Sequence, residues 1–467
     1  MEYNKEEEEA FRDRIATVNE EGKRVWIFPK KPKGSFYNKR KLVSYFLLAF
    51  LFAAPHINVG GHQLLLFNII ERKFILFGKV FWPQDMFLFA LTLISAVIFI
   101  ILFTIIYGRV FCGWVCPQTI FMEMLFRRIE YFIEGDWTHQ KKLDNAPWNR
   151  DKIIKRIAKH GAFWIISFLI ANTFLAYIIG ADELWKIQTE PVQQHIGGLI
   201  AIVIFTTVFY LVFARLREQV CTTICPYGRL QGVLLDPNSM VVAYDYKRGE
   251  NRAKFKKGED RKTEGKGDCI DCMQCVYVCP TGIDIRNGTQ LECINCTACM
   301  DACDTIMDSV GLEKGLIRVV SENGVKNRTG FQWTKRVVAY TALLTVILGV
   351  LTVLLVTRKD FETTVIRQRG TTYQMVDGKV NNIFEVHLIN KTQKDYKVEL
   401  ELVESIGTIE TVVKNLKLEK ENSLKERFIV QMPLSEVSGG KKIIEIKVMG
   451  NGKEIQRVKT KFIGPSL

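Results

Sequence analysis

Twelve cysteines carry the chemistry of this 467-residue chain, and all of them lie between residues 112 and 303. Eight form two runs: Cys269, Cys272, Cys275 and Cys279, then Cys293, Cys296, Cys299 and Cys303, each spaced C-x2-C-x2-C-x3-C. Turns of that length let three thiolates of one run converge on a [4Fe–4S] cluster while the fourth ligand comes from the other run. One cluster is therefore assigned to Cys269, Cys272, Cys275 and Cys303, and the other to Cys293, Cys296, Cys299 and Cys279. Pro280 follows the first run as in bacterial-type two-cluster proteins, whereas Asp304 stands in the corresponding place after the second. Zinc also takes C-x2-C knuckles, but in pairs at longer separation, and two uninterrupted runs of four do not fit that scheme.

The other four thiols form two C-x3-C-P motifs, Cys112/Cys116 and Cys221/Cys225, each directly after a long apolar segment. The residue before a proline is pushed out of helical geometry. Cys116 and Cys225 are thus expected at breaks between a spanning helix and an interfacial one. Two such breaks on one side of a bilayer would gather four sulfurs. Soft thiolates suit Cu(I), zinc or iron–sulfur chemistry; a reversible disulfide and plain burial as small apolar residues are the alternatives. The six histidines are scattered without paired spacing, His56 and His62 being weak candidates for a metal or quinone site.

These thiols need elements to position them. Five stretches lack Asp, Glu, Lys and Arg: 42–58, 86–108, 161–181, 196–214 and 337–356. About 20 such residues span a membrane, so five spanning helices are expected, the first interrupted by Pro55 and His56. The net charge of +14 follows the membrane. Lys and Arg crowd the segments before the first span and between the second and third, and are sparse in the segments between. The positive-inside rule then places the N-terminus, both C-x3-C-P pairs and the 215–336 loop in the cytoplasm and the C-terminal domain outside, in the periplasm of a bacterial inner membrane. The C-terminal domain, in the compartment where disulfides persist, has no cysteine. Glu6 to Glu9 and the long polar lead argue against a cleavable signal peptide.

Residues 59–85 carry two short apolar runs, read as an outer hairpin or interfacial segment. Residues 117–134 read as a helix opened by Pro117, with one apolar face lying along the inner membrane surface. The basic stretch 247–268 reads as a solvated linker; nucleic acid is disfavoured, since no recognition motif accompanies the charge. From 360 onward the period changes to two, as in Tyr396–Val403 and Ile444–Val448, with Asp377-Gly378 and Asn451-Gly452 as hairpin dipeptides.

The expected fold class is a multi-domain membrane protein: a five-helix α transmembrane region, an α+β bacterial-type two-cluster ferredoxin module and a C-terminal immunoglobulin-like β-sandwich. The expected boundaries are a cytoplasmic segment 1–41, four transmembrane helices within 42–246, the linker 247–268, the ferredoxin domain 269–334, a fifth helix 335–357 and the β-domain 360–467.

The chain resembles the FixG/CcoG family of cytochrome c oxidase accessory proteins. The resemblance rests on Cys112-Gly-Trp-Val-Cys116-Pro-Gln-Thr119, Cys221-Thr-Thr-Ile-Cys225-Pro-Tyr-Gly-Arg-Leu-Gln231, Tyr244–Glu250, Asp268–Arg286 and Glu292–Asp304. It implies assembly of a cbb3-type haem–copper oxidase, with reduction of Cu(II) to Cu(I). Cys112, Cys116, Cys221 and Cys225 would then be the copper-handling, catalytic thiols, and the ferredoxin cysteines would supply single electrons. Partners implied are oxidase subunits or copper-delivery proteins, the lipid bilayer and a protein electron donor, since no nucleotide fingerprint is present. Two other readings compete: a quinol-oxidising subunit of a respiratory chain, and a redox-sensing scaffold.

Overall fold

The computed structural model describes residues 17–466 except 20, 70–72, 78, 82–85, 359, 369, 371, 377, 393, 405, 412–415, 421 and 438. Glu6 to Glu9 and Asp377 lie outside the described residues. The chain divides into two compact units, Met1–Leu351 and Thr352–Leu467.

The first unit is built on helices α1 (Ser35–Ala53), α2 (Met86–Tyr107), α3 (Arg150–Ile179), α4 (Ile196–Leu211) and the larger part of α5 (Lys335–Val356). Among the described residues four helices are long and apolar enough to cross a membrane: Phe87–Tyr107, Arg150–Ile179, Ile196–Leu216 and Lys335–Val356. The first of the five expected spans is not among them. Its helix carries Lys39, Arg40 and Lys41 near its start and gives way to a 3-10 turn at Ala54–His56. The charge-free helical part, 42–53, is about 18 Å long at 1.5 Å per residue, short of a hydrocarbon core of about 30 Å.

Contacts nevertheless run the length of α1. At its start the Phe36 and Tyr37 amides donate to the Asp301 carboxylate at 3.1 and 2.7 Å. Near its end the Leu51 carbonyl accepts from the Tyr177 hydroxyl at 2.9 Å, close to the last turn of α3. Beyond it, β1 (Leu65–Asn68), β2 (Lys73–Leu76) and β3 (Lys79–Phe81) form a small antiparallel sheet where the sequence suggested a hairpin. Gln63 ties this region to the same end of α3, donating to the Ala176 carbonyl and accepting from the Ala181 amide.

The amphipathic segment forms a helix over Pro117–Ile133, with a π-helical stretch at Phe121–Phe126. Much of its apolar side is covered by the protein itself, although Phe132 stays exposed. Phe121, Met124 and Phe126 are buried, and Phe126 stacks on Phe213 at 4.4 Å and meets Phe163 edge-on at 4.8 Å. Its polar side is buried too: the Arg217 guanidinium grips Glu130 at 2.5 and 2.9 Å, and Arg127 is shared between Glu123 and Glu218. Ion pairing across 87 residues of sequence satisfies charges that would otherwise face solvent.

The cysteine-rich region is framed by β4 (Val241–Tyr244) paired antiparallel with β5 (Ile317–Val320). The basic stretch before it is not a free linker. Arg261 is buried and donates to the carbonyls of Ala253, Gly267 and Cys269, so the stretch folds back on the first cysteine run.

The second unit holds two antiparallel sheets. One orders β9 (Thr408–Thr411), β11 (Ser423–Pro433), β7 (Lys379–Asn390) and β6 (Phe361–Arg367), with Gln374–Val376 also paired to β7. The other orders β10 (Leu416–Leu418), β8 (Tyr396–Leu402), β12 (Gly439–Gly450) and β13 (Lys453–Ser466). Alternate residues point inward, as the period-two pattern requires. Val398, Leu400, Ile444, Ile446 and Val448 meet Phe384, Val386, Phe428 and Val430 in one core. Asn451 and Gly452, at φ 49° and 78°, make the β12–β13 turn. This is the expected immunoglobulin-like sandwich.

Candidate iron–sulfur centre and membrane-edge thiols

The two cysteine runs share one backbone. Asp271 and Met273 flank Cys272 at φ 54° and 58°; Asn295 and Thr297 flank Cys296 at φ 51° and 64°. Four non-glycine residues in left-handed conformation, at matching places, are costly. They curl each loop so that its cysteines converge and its amides turn inward. A short helix follows in each run, Gln274–Tyr277 and Ala298–Val310. Asp304 accepts from the Gly315 amide at 2.9 Å, closing the second run without proline.

Cys279, Cys293, Cys296 and Cys299 line one cavity together with Cys275, Val242, Ile283, Ile285 and Ile294. The Cys303 thiol feels Cys275, Cys272 and Cys269. The structure thus brings Cys279 to the thiols of the second run and Cys303 to those of the first, with Cys275 beside both. Burial pushes Cys275, Cys293 and Cys303 up to about 12 and Cys296 up to about 11. Such thiols are neutral near pH 7 and must shed protons on binding metal. Sulfur-rich and lined by aliphatic side chains, the cavity fits the donor set of a [4Fe–4S] cluster.

The C-x3-C-P pairs are also a structural repeat. Four residues before each first cysteine the chain turns left-handed, at Gly108 (φ 58°) and Arg217 (φ 55°). The amide of each second cysteine bonds to the carbonyl five residues back, Cys116 to Phe111 at 2.9 Å and Cys225 to Val220 at 2.7 Å. Each second cysteine then leaves helical geometry, with ψ 124° at Cys116 and 113° at Cys225, and proline opens the next helix. The four thiols come together: Cys221 feels Cys116, Cys112 and Cys225, and Cys112 feels Cys116 and Cys225. Burial pushes Cys112 up to about 11, against the pull of Arg109, and Cys221 up to about 12.

Several neighbours escape the cysteine spacing. Gln231 is fully buried; its Oε1 accepts from the Cys112 thiol at 2.9 Å and from Arg109 Nε at 3.2 Å. Gly113 presses on the second cysteine run: a Cβ there would overlap the Ile294 carbonyl and stand 3.0 Å from the Cys296 amide. Arg40 Nε donates to the Gly113 carbonyl at 2.7 Å. The sequence signal for this contact is the glycine between paired cysteines, which reads as flexibility until the touching backbone is seen. His56 and His62 lie instead by the small sheet. Among the described residues, no three of His, Cys, Asp and Glu are placed to grip a single metal ion. The thiols of both cysteine runs are likewise too far apart for one ion, and a cubane holds its ligand sulfurs further apart than one ion does.

A family model described as a 4Fe-4S dicluster domain matches residues 216–322, and one described as a 4Fe-4S binding domain matches 89–141, which includes Cys112 and Cys116. A third, the IG-like fold at the C-terminus of FixG, matches 351–465. The chain is 38% identical over 304 residues to nitrogen fixation protein FixG of Rhizobium meliloti, covering 63% of this chain and 57% of that one. It is 33% identical over 395 residues to protein RdxB of Cereibacter sphaeroides, covering 81% of this chain and 82% of that one. The solved FixG-related protein from Vibrio parahaemolyticus matches at 19% identity and TM-score 0.20, over 23% of this chain and 97% of that one. With these matches beside the paired cysteine loops and the apolar helices, the chain belongs to the FixG family: it is a membrane-associated iron–sulfur electron-transfer protein.

Proposed function

We propose that this protein reduces Cu(II) to Cu(I) at the inner face of the membrane for assembly of a cbb3-type oxidase. The observation that carries the reading is the contact between Gly113 and the Ile294–Cys296 backbone, which sets the membrane-edge thiols against the second cysteine run. Cys269, Cys272, Cys275 and Cys303 would hold one [4Fe–4S] cluster, and Cys279, Cys293, Cys296 and Cys299 the other; when bound, they supply electrons singly. Cys112, Cys116, Cys221 and Cys225 receive the copper substrate. Soft sulfur favours Cu(I) over Cu(II), so one added electron leaves the ion in the state these thiols prefer. Gln231 and Arg109 hold the Cys112 thiol in place.

We also propose α1 as a fifth crossing. At 19 residues it is about 28 Å long, and its contacts run from Asp301 to Tyr177. The distribution of Lys and Arg then supports a cytoplasmic cysteine-rich region and a chain that is periplasmic after Val356.

The test is Cu(II) reduction by protein purified without oxygen, reduced with dithionite and desalted, with iron and acid-labile sulfide measured on the same sample. Wild type reduces Cu(II), and Cys112→Ser with Cys116→Ser keeps its iron but loses the reaction. Reduction at the wild-type rate by the double variant would sink the copper reading; absence of iron and sulfide would sink the electron-transfer reading with it.

A further inference from the structure

A second cavity lies beside the buried ion pairs, where α3 and α4 pass from charged to apolar sequence. Its volume is about 430 Å³, within the range of small-molecule sites, and Trp26, His160, Phe163, Tyr210, Leu211 and Ala214 line its aromatic and apolar wall. The Tyr210 hydroxyl lies 3.0 Å from His160 Nδ1. With the hydroxyl donating, Nε2 keeps its proton and can donate to a ligand. Trp164 meets Tyr210 edge-on at 5.5 Å, and both Trp164 and Leu211 are exposed on the helix faces that would meet lipid. The cavity therefore lies beside those faces.

Of the four cations that line it, Arg215 is exposed and the other three are held by carboxylates. Arg217 is held in two places by Glu130, Lys159 Nζ lies 2.9 Å from Glu134, and Arg156 lies between Glu134 and Asp144 at 3.3 and 2.7 Å. Trp26 is clasped between the Arg24 and Arg217 guanidiniums at 4.3 and 4.9 Å from its ring centroid. An anionic headgroup would have to displace these carboxylates or stay outside, at Arg215. A flat, uncharged ring carrying carbonyl acceptors would not: it packs against Leu211, Ala214 and the edges of the aromatic wall and accepts a hydrogen bond from His160.

We infer that this cavity binds the head group of a lipid-soluble quinone. A binding site for a membrane redox carrier deepens the electron-transfer reading, on which its purpose, though not the binding itself, rests. The Arg127 guanidinium joins the two regions, lying 3.4 Å from both Glu218 and the Pro280 carbonyl, next to Cys279.

The experiment is equilibrium binding of decylubiquinone to the full-length protein in detergent, measured by extraction after gel filtration. Wild type retains about one quinone per chain. His160→Phe and Tyr210→Phe weaken binding at least tenfold, about 1.4 kcal/mol, with unchanged iron. Ala214→Phe, which fills the cavity without touching the ion pairs, abolishes it. Absence of saturable binding by iron-replete wild type would overturn the inference while leaving the electron-transfer reading intact. So would undiminished binding in all three variants, or displacement of the quinone by phosphatidylglycerol at equal concentration. Loss of iron in wild type would count against the cluster reading and not against this one.

Discussion

The cysteine runs and the membrane-edge pairs both repeat, but they gather sulfur differently. In the runs, left-handed residues on either side of the middle cysteine bend a short loop around its thiols, and in the proposed assignment the fourth ligand comes from the partner run. In the pairs, the left-handed residue sits four places upstream, at the end of an apolar helix, and proline restarts the chain after the second cysteine. The first device is local and compact. The second works only because two helix ends are brought to the same level, so its sulfurs depend on packing far from them in sequence.

That contrast can be broken outright by exchanging sulfur for oxygen. Cys279→Ser should lose the cluster assigned to Cys293, Cys296 and Cys299 and retain the other, about half the iron and sulfide, whereas Cys112→Ser should keep both. Equal iron loss in the two variants would erase the distinction.

The next effect concerns Arg217, which stands where the other repeat has Gly108. Arg217 is gripped in two places by Glu130 and more loosely by Glu218 at 3.6 Å, so Glu130→Gln should cost about 3 kcal/mol by removing the closer carboxylate from a buried guanidinium. A thermal midpoint in detergent close to wild type would contradict this. Burial alone would raise the Glu130 carboxyl, but Arg217, then Lys159 and Arg127, more than offset it and hold it below the usual range. The depressed folded value means that the pair contributes in full above the ordinary carboxylate value near pH 4.3. That contribution fades as pH falls towards the depressed value. The difference between wild type and Glu130→Gln should therefore shrink on acidification.

Gly108→Ala follows at about 1–3 kcal/mol, because φ is 58° and the new Cβ would lie 2.7 Å from Val241 Cγ1. Thr297→Gly has the opposite sense. It removes a β-branched side chain from a left-handed position and should change the midpoint by less than about 1 kcal/mol, with iron content unchanged. A loss as large as that of Gly108→Ala would mean that the Thr297 side chain matters beyond its backbone.

What could be read from sequence follows the range of the interactions. Cysteine spacing is set within a few residues, and the period-two strands at Tyr396–Leu402 and Gly439–Gly450 announce their inward faces directly. The proline after each second thiol likewise marks the break at Cys116 and Cys225. The segment 117–134 misleads because burial on both sides needs partners such as Arg217 and Glu218, far away in sequence. Arg261 misleads for the same reason: in a basic stretch it reads as solvated, but three backbone carbonyls occupy its guanidinium. The charge-bearing start of α1 hides its length, since Arg40 is buried and held by a carbonyl of Gly113 rather than by an acid.

Asp301 stands between Cys299 and Cys303, and its two oxygens hold the opening amides of α1. Whatever fixes those two thiols also fixes that carboxylate. A chain still lacking its inorganic centres would present the first helix without its anchor, so maturation of the sulfur-rich region and seating of that helix become a single folding event.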